Sequence, residues 1–271
     1  MNKRNRKPGI FLTAQWRHLA VLNYAIEPQV LEPHLPAGLE LDFWRGKTYV
    51  SLVAFVFQST RLFGIPLPFH RNFPEVNLRF YVKRQMPAGE RRGVVFLREI
   101  APRRAVAYVA SKFYGEKYMA LPMRARIEPD DRFKDFSRQV RFEWRLAGHT
   151  FQIAAASDAL PRYAEPDSLD EFIIEHYWAY SAGAEPGNAC LEYEVEHLPW
   201  RIRRADSAMF AGNAAALYGK EFAKVLDRPP DSAFLADGSA VAVRRGTSLD
   251  CERLPVSVAS LVSVVPLGEL R

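Results

Sequence analysis

A stretch of ten residues, Phe73–Val82, alternates between polar and apolar side chains without interruption. Successive side chains of a β-strand point to opposite faces, so this period of two predicts a strand with one apolar and one polar face. The apolar side chains are Val76, Leu78, Phe80 and Val82, and the polar ones are Glu75, Asn77, Arg79 and Tyr81. Other elements must cover the apolar face, which favours a sheet-based fold.

The polar face of this strand has an unusual composition. It combines a carboxylate, an amide, a guanidinium and a phenol, which together can hold, orient and exchange protons with a small polar molecule. A strand with one face in water shows the same alternation, so a solvated face is the alternative. The neighbouring segments are very apolar, which favours burial of both faces, and buried charges need partners. The polar row then either lines a cavity or is satisfied internally, with Glu75 paired to Arg79.

Strands dominate the rest of the chain. Tyr49–Phe57 is apolar on both faces, which predicts a central strand. Further strands are predicted at Phe11–Ile26, Gly93–Ile100, Ala105–Phe113, Cys190–Glu196 and Val256–Pro266. Hairpins are predicted around Arg45-Gly46, Gly148 and Asp237-Gly238.

One longer helix is predicted at Leu169–Ala182. Ser168 followed by Glu171 is a capping-box pattern, and apolar residues recur at helical spacing after it. His176 lies on or beside the apolar stripe, where a hydrogen-bonded core histidine is favoured over a catalytic one. A short helical turn is predicted at Gln29–His34, because Pro28 suits the first position of a helix.

These elements predict a mainly β chain of the α+β class. Many short strands with hairpin patterns indicate an antiparallel barrel or sandwich with a few packed helices. No repeat or linker divides the 271 residues, so a single domain is expected over residues 1–271, with residues 1–9 as a flexible tail.

Charge and composition limit the binding partners and the cellular location that the sequence predicts. The net charge is +6, but the basic residues are dispersed, which argues against a nucleic-acid-binding face. No apolar run is long enough for a signal peptide or a membrane span. The two cysteines, Cys190 and Cys251, lie far apart in the sequence. A cytoplasmic protein with free thiols is expected, and the oligomeric state is left open.

Several chemistry-bearing motifs are absent from the sequence. It contains no GxGxxG, HExxH or GxSxG pattern, and its six histidines are scattered. We therefore expect no cofactor and no metal.

Four segments occur together in an order that resembles a known family. They are Gln15-Trp16…Leu19, Leu35–Asp42, Phe73–Val82 and His197-Leu-Pro-Trp200. The pattern is similar to the YqjF-like family of uncharacterised conserved bacterial proteins, which is grouped with the acetoacetate decarboxylase-like superfamily. The resemblance spans roughly residues 11–205. It implies a cone-shaped, largely antiparallel β-barrel with an internal cavity.

The resemblance also implies which residues face that cavity. In acetoacetate decarboxylase, a lysine with a lowered pKa forms a Schiff base with a keto acid, and a glutamate and an arginine line the same cavity. Glu75 matches the glutamate. The decarboxylase motif Gly-Phe-Pro-Lys-Lys aligns with Gly115–Met119, so Tyr118 and Met119 stand where the lysines belong. Lys117 is displaced by one residue, which points a strand side chain to the opposite face. Lys112 is a second lysine candidate.

The resulting functional hypothesis is a barrel that binds a small polar or anionic organic molecule. Arg79 pairs with its carboxylate or with an enolate oxygen, and Asn77 and Tyr81 orient it. Glu75 acts as the general acid/base, with Tyr118 and Lys117 facing the ligand from the strand of the lost lysine motif. The reaction would be of a lyase, isomerase or hydrolase type on a keto acid or related carbonyl compound, without the usual lysine pair. The alternative is a non-enzymatic ligand-binding or stress-response module with a structural Glu–Arg network.

Overall fold

The structure is a computed structural model that describes residues 7–66, 68–87, 89–102, 118–181 and 190–249. All structural statements below concern these residues. The predicted strands Ala105–Phe113 and Val256–Pro266 lie outside them, as do Lys112, Lys117 and Cys251. No helix in the described ranges is long and apolar enough to cross a membrane.

Seven strands close into a barrel. They are β1 (Ile10–Ile26), β3 (Thr48–Leu62), β5 (Phe73–Met86), β6 (Gly89–Ala101), β12 (Trp178–Ser181), β13 (Cys190–His197) and β17 (Ala240–Arg244). Their order around the barrel is β1, β17, β13, β12, β6, β5 and β3, and β3 pairs with β1 to close it. Neighbours are antiparallel, except that β12 runs parallel to β6. The predicted mainly β fold is confirmed.

A second sheet of four strands packs outside the barrel. It contains β8 (Met123–Pro129), β9 (Ser137–Leu146), β10 (His149–Ala156) and β15 (Ser207–Ala211). The predicted hairpin at Gly148 is the turn between β9 and β10. One apolar core lies between this sheet, the helices near its edge and the outward side chains of the barrel, and a second core fills the barrel interior.

The remaining elements are short. The strands are β2 (Glu40–Leu41), β4 (Ile65–Pro66), β7 (Tyr118–Ala120), β11 (Arg162–Tyr163), β14 (Arg201–Arg204), β16 (Ser232–Ala236) and β18 (Thr247–Leu249). The α-helices are α1 (Pro28–Leu31), α2 (Leu169–Ile174), α3 (Ala214–Tyr218) and α4 (Lys220–Leu226), and a 3₁₀ turn (Glu32–His34) follows α1. The sequence therefore located the helical turn after Pro28 correctly.

Strand β5 divides the molecule as its alternation predicts. Val76, Leu78 and Phe80 belong to the outer core, whereas Tyr81 belongs to the barrel interior. The pairing of β5 with β6 contains a β-bulge: Leu78 lies opposite Arg98, but Arg79 lies opposite Phe96. Such a bulge bends the strand and changes the direction of side chains beside it, and here it falls next to Arg79.

The predicted helix Leu169–Ala182 is wrong beyond its first turns. The cap is as predicted, since the Ser168 hydroxyl accepts the backbone N–H of Glu171 at 3.2 Å. The helix ends at Ile174, and Trp178–Ser181 instead forms β12. That segment pairs with β13 on one side and β6 on the other, so ladder hydrogen bonds and burial outweigh its helical pattern.

Two predicted hairpins are wrong in their strand pairing, although the turn at Arg45-Gly46 is present. Around Arg45-Gly46 a small turn joins Trp44 to Lys47, but β2 pairs with β5 instead of β3. At Asp237-Gly238, β16 and β17 do not pair with each other. Both run antiparallel to β1, so the two residues form a break in a single strand path.

Gly238 has a steric reason to be a glycine at this break. Its φ is +71°, and an added Cβ would lie 2.0 Å from the Trp16 carbonyl oxygen. The break also holds two tryptophans. The Trp16 backbone N–H donates to the Ser239 carbonyl at 2.9 Å, and Trp200 Nε1 donates to Ser239 Oγ at 3.0 Å. Both indoles reach the barrel interior from this point.

Candidate functional site

Glu75 meets Tyr118 inside the barrel. Strand β7 runs parallel beside β6 with Tyr118 opposite Glu99, and the Tyr118 hydroxyl donates to Glu75 Oε2. Both glutamates are buried. Burial and the negative charges of Glu75 and Glu99 raise the pKa of Tyr118 well above its usual value, so Tyr118 remains a hydrogen-bond donor. The two residues that the sequence placed on different strands are therefore neighbours.

Arg79 lines a small cavity in the same interior. The other walls include Trp16, Phe96, His176, Trp178, His197 and Trp200. The free volume of the cavity is about 20 Å³, which is room for a water molecule. Arg79 is the one permanently charged side chain among the described residues that line it. Glu75, Asn77 and Tyr81 are not part of this wall.

The Arg79 guanidinium has no carboxylate oxygen within 4.0 Å in the described part of the chain. Its Nε is buried without a hydrogen-bond acceptor there, and so is Nε1 of Trp16. The internal network in which Glu75 pairs with Arg79 is therefore not formed. Buried donors are nearly always satisfied in native proteins. Two unsatisfied N–H groups at one cavity suit an anion or an ordered water.

His176 is buried and hydrogen-bonded, as the sequence predicted. Its Nε2 lies 3.1 Å from Asp42 Oδ2, and Arg92 Nε donates to the same oxygen at 2.7 Å. Burial lowers the pKa of His176 to about 4, against the opposing effect of Asp42. The imidazole is thus neutral at pH 7, with Nε2–H donated to Asp42 and Nδ1 left as an acceptor.

Tyr81 contacts the site through its ring and hydrogen-bonds to the surrounding strands through its hydroxyl. Its hydroxyl donates to Ser51 Oγ at 2.6 Å, and Ser51 donates to Asn23 Oδ1 at 2.6 Å. The Tyr81 ring packs against His176 with 4.8 Å between centroids. Its hydroxyl is therefore committed to the scaffold, and the ring holds the imidazole in place. The expectation that Tyr81 orients a ligand has no direct geometric support.

Asn77 lies between Glu75 and Arg79 on the inner face of β5. It is buried, and its Oδ1 has no hydrogen-bond donor among the described residues. Residues two apart on a strand are separated by about 6.6 Å, so a small molecule can reach both Asn77 and Arg79. Lys117, the remaining predicted site residue, lies outside the described residues.

Sequence reasoning missed the aromatic and imidazole wall. Trp16, His197 and Trp200 were noted as core or family-pattern residues, and Trp178 fell within the predicted helix. These side chains come from segments far apart in the sequence and converge through the closure of the barrel. No cluster of three or more His, Cys, Asp or Glu side chains in the described ranges is arranged to hold a metal ion.

The closed barrel has the acetoacetate decarboxylase-like fold. An acetoacetate decarboxylase-like enzyme from Sphingomonas wittichii RW1 superimposes with a TM-score of 0.62 at 12% identity, covering 89% of this chain and 94% of that one. Acetoacetate decarboxylase from Legionella pneumophila gives 0.63 at 11%, covering 92% and 91%. The enduracididine biosynthesis enzyme MppR, complexed with the condensation product of pyruvate and imidazole 4-carboxaldehyde, gives 0.65 at 13%, covering 91% and 92%.

By sequence the chain belongs to DUF2071, a family of uncharacterized conserved proteins whose model matches residues 13–240. The uncharacterized protein YqjF of Bacillus subtilis (strain 168) is 25% identical over 213 residues, which is 78% of this chain and 83% of the relative. The family resemblance drawn from the four sequence segments is confirmed.

Proposed function

We propose that the barrel interior binds a small organic acid, a 2-oxo or related carbonyl acid, with its carboxylate on Arg79. The observation that carries this proposal is the Arg79 guanidinium, which lines the cavity with no carboxylate partner among the described residues. A cation held in an apolar, aromatic wall without a counter-ion costs free energy. A bound carboxylate supplies that counter-ion and accepts two parallel N–H bonds from the planar guanidinium.

The neighbouring groups fit the same ligand. Trp16 Nε1 is a second buried donor for an anion, and it has no hydrogen-bond acceptor in the described residues. Both imidazoles of the wall have lowered pKa values, so Arg79 supplies the positive charge. The free volume is small, so a ligand larger than water enters only when wall side chains change rotamer, and acids of three to four carbons are favoured.

Structural neighbours support the choice of a carbonyl acid. MppR has been solved in complex with pyruvate, and the Legionella pneumophila neighbour is named for acetoacetate, a related keto acid. The proposed chemistry uses no Schiff base, because Tyr118 and Met119 occupy the aligned lysine positions. Met119 packs against the outer core. Glu75, on the strand that carries Arg79, accepts the hydroxyl of Tyr118 from β7; a role for Glu75 as general acid/base and a role for Lys117 both stay hypotheses.

The test is a thermal-shift titration with pyruvate and acetoacetate, since a ligand of the folded state raises the melting temperature. We expect a shift in the wild type, none in Arg79→Met, and none with methyl pyruvate, which lacks the carboxylate charge. Arg124→Met is the matched control, because Arg124 is exposed on β8; its shift should equal that of the wild type. A shift that survives in a folded Arg79→Met protein contradicts the proposal.

A further inference from the structure

His197 lies where the Arg79 cavity meets a larger groove. The groove has a volume of about 520 Å³ and is open to solvent. Its walls include Thr13, Gln15, Ser59, Arg61 and Glu196, and His197 lines both the groove and the cavity. A ligand whose carboxylate reaches Arg79 from the groove therefore passes this imidazole. The groove also gives the rest of such a ligand a place to lie, between these polar side chains and the apolar Ala14, Leu198 and Val241.

The ring of His197 is held firmly. It lies between Trp200 and Tyr177, with centroid distances of 4.6 and 4.7 Å. Its Nδ1 is 3.0 Å from the Leu198 carbonyl oxygen, and a carbonyl accepts only from a protonated nitrogen. The proton of the neutral ring is therefore on Nδ1, and Nε2 carries the lone pair. No described residue hydrogen-bonds to Nε2.

The surroundings keep His197 neutral and able to accept a proton. Burial lowers its pKa, and the charge of Arg79 acts in the same direction. The Leu198 carbonyl and the carboxylate of Glu175 oppose these effects. A neutral imidazole with a fixed tautomer and an uncommitted Nε2 has the properties of a general base near pH 7.

Glu75 is less well placed for this task. It does not line the Arg79 cavity, and one of its oxygens accepts the Tyr118 hydroxyl. His176 also lines the cavity, but its Nε2 is occupied by Asp42 and its pKa is about 4. Among the described groups that line the cavity, His197 alone combines a fixed tautomer with access from the groove.

We propose that His197 is the proton-transfer base for a 2-oxo acid whose carboxylate is bound at Arg79; this inference rests on the proposed function. Nε2 takes a proton from the carbon next to the carbonyl. The C–H electron pair forms the C=C bond of an enolate, and the carbonyl π pair moves to oxygen, where Arg79 and Trp16 Nε1 offset the charge. Return of the proton from the imidazolium to carbon regenerates the keto acid, so the cycle needs no oxidant and no co-reactant.

The experiment follows exchange of the methyl protons of pyruvate in deuterated buffer by NMR, alongside the thermal shift. Protons that pass through an exchangeable imidazole are replaced by deuterium. We expect the wild type to accelerate exchange, with a rate that rises with pH as His197 loses its proton. His197→Gln should keep the pyruvate-induced thermal shift but lower the exchange rate by about 100-fold or more. His197→Asn is the second variant if the first does not fold.

Two further variants separate the alternatives. His149→Gln changes an exposed histidine of the outer sheet and should exchange like the wild type. Glu75→Gln tests the competing assignment of the base: if exchange is lost there and kept in His197→Gln, the base is Glu75 and the proposal is overturned. Pyruvate binding by the wild type without accelerated exchange also overturns it and leaves the proposed function intact. Absence of any thermal shift contradicts the proposed function itself.

Discussion

Two arginines in different parts of the molecule, the fully buried Arg203 and the partly buried Arg79, differ in whether the fold gives them a carboxylate partner. Arg203, on β14, is fully buried, and its Nη2 donates to Asp130 Oδ2 at 2.6 Å. Its guanidinium lies against the rings of Phe133 and Phe136, 5.1 and 5.0 Å from their centroids. Arg79 has aromatic neighbours as well, but no carboxylate partner among the described residues.

Arg203 and Arg79 differ in the source of their counter-ion. Hydrogen bonds from Arg132 and Arg203 hold the pKa of Asp130 far below its usual range, so Arg203 has a counter-ion without any ligand. Its Nε and Nη1 are buried without hydrogen-bond acceptors among the described residues, so the contrast with Arg79 lies in the counter-ion and not in the number of hydrogen bonds. The Arg79 cavity lacks this compensation. An arginine with its own carboxylate contributes to the fold. An arginine without one lowers the free energy of unfolding and can bind an anion from outside the protein.

The largest expected effect is on the pair of Arg203 with Asp130. Arg203→Met leaves Asp130 without its buried partner, and we expect it to lower the free energy of unfolding by about 3–5 kcal/mol. Urea unfolding at pH 7 measures this change. The neighbouring Arg204 is exposed, so Arg204→Met should change stability by less than about 0.5 kcal/mol. Equal losses in the two variants would show that Arg203 is not a structural ion-pair residue.

A second prediction concerns the histidine beside Arg79. The pKa of His176 is about 4 in the folded protein and 6.5 without the fold. Between these values only the unfolded chain binds the proton, so acid favours unfolding and the free energy of unfolding falls as pH falls. The 2.5-unit difference corresponds to up to about 3 kcal/mol lost between pH 7 and pH 4.

The measurement is chemical unfolding of the wild type and His176→Gln at a series of pH values. The wild type should lose more stability between pH 7 and pH 4 than the variant, which cannot take up this proton. Asp42, Arg92 and Arg79 all influence His176, and both arginines lower its pKa. An NMR titration of Arg79→Met should therefore show a higher His176 pKa. Identical pH slopes for the wild type and His176→Gln would contradict the prediction.

The smallest expected effect on stability is that of replacing Arg79, which has no carboxylate partner among the described residues. Arg79→Met removes a charge without breaking an ion pair among the described residues. We expect stability to stay unchanged or to rise by about 1 kcal/mol, as happens when a functional group is exchanged for an apolar one. Urea unfolding without ligand measures it. If Arg79→Met lowers the free energy of unfolding as much as Arg203→Met does, both arginines stabilise the fold and the proposed difference between them is contradicted.

Sequence alone specified the two faces of the strand that carries Arg79. The alternation of Phe73–Val82 separates the outer core from the interior, and the Ser168 cap marks where α2 begins. It did not show where that helix ends, because the pairing of Trp178–Ser181 with β13 and β6 joins segments about 10 to 85 residues apart. The local sequence pattern cannot show whether a segment forms a helix or instead pairs with strands that are distant in the sequence.

The composition of the site was predictable only in part. Glu75, Asn77 and Arg79 share an inner face because of their period of two. Whether Arg79 finds a carboxylate depends on the bulge in β6 and on which strands close the barrel. His197 and Trp200 appeared in a sequence pattern without an assigned task, since their distance to Arg79 is set by non-local pairing.

The parallel placement of β12 beside β6 has a consequence for synthesis on the ribosome. The first four barrel strands, β1, β3, β5 and β6, are all made by residue 101 and pair with one another in antiparallel fashion. Among the described strands, β7 soon pairs with Glu99–Ala101 of β6, but the rest of the two free edges, on β6 and β1, is paired when β12, β16 and β17 emerge, about 80 to 140 residues later. Until then a nascent chain presents an open, apolar sheet with largely unpaired edges, the kind of surface that chaperones shield and that aggregates when shielding fails.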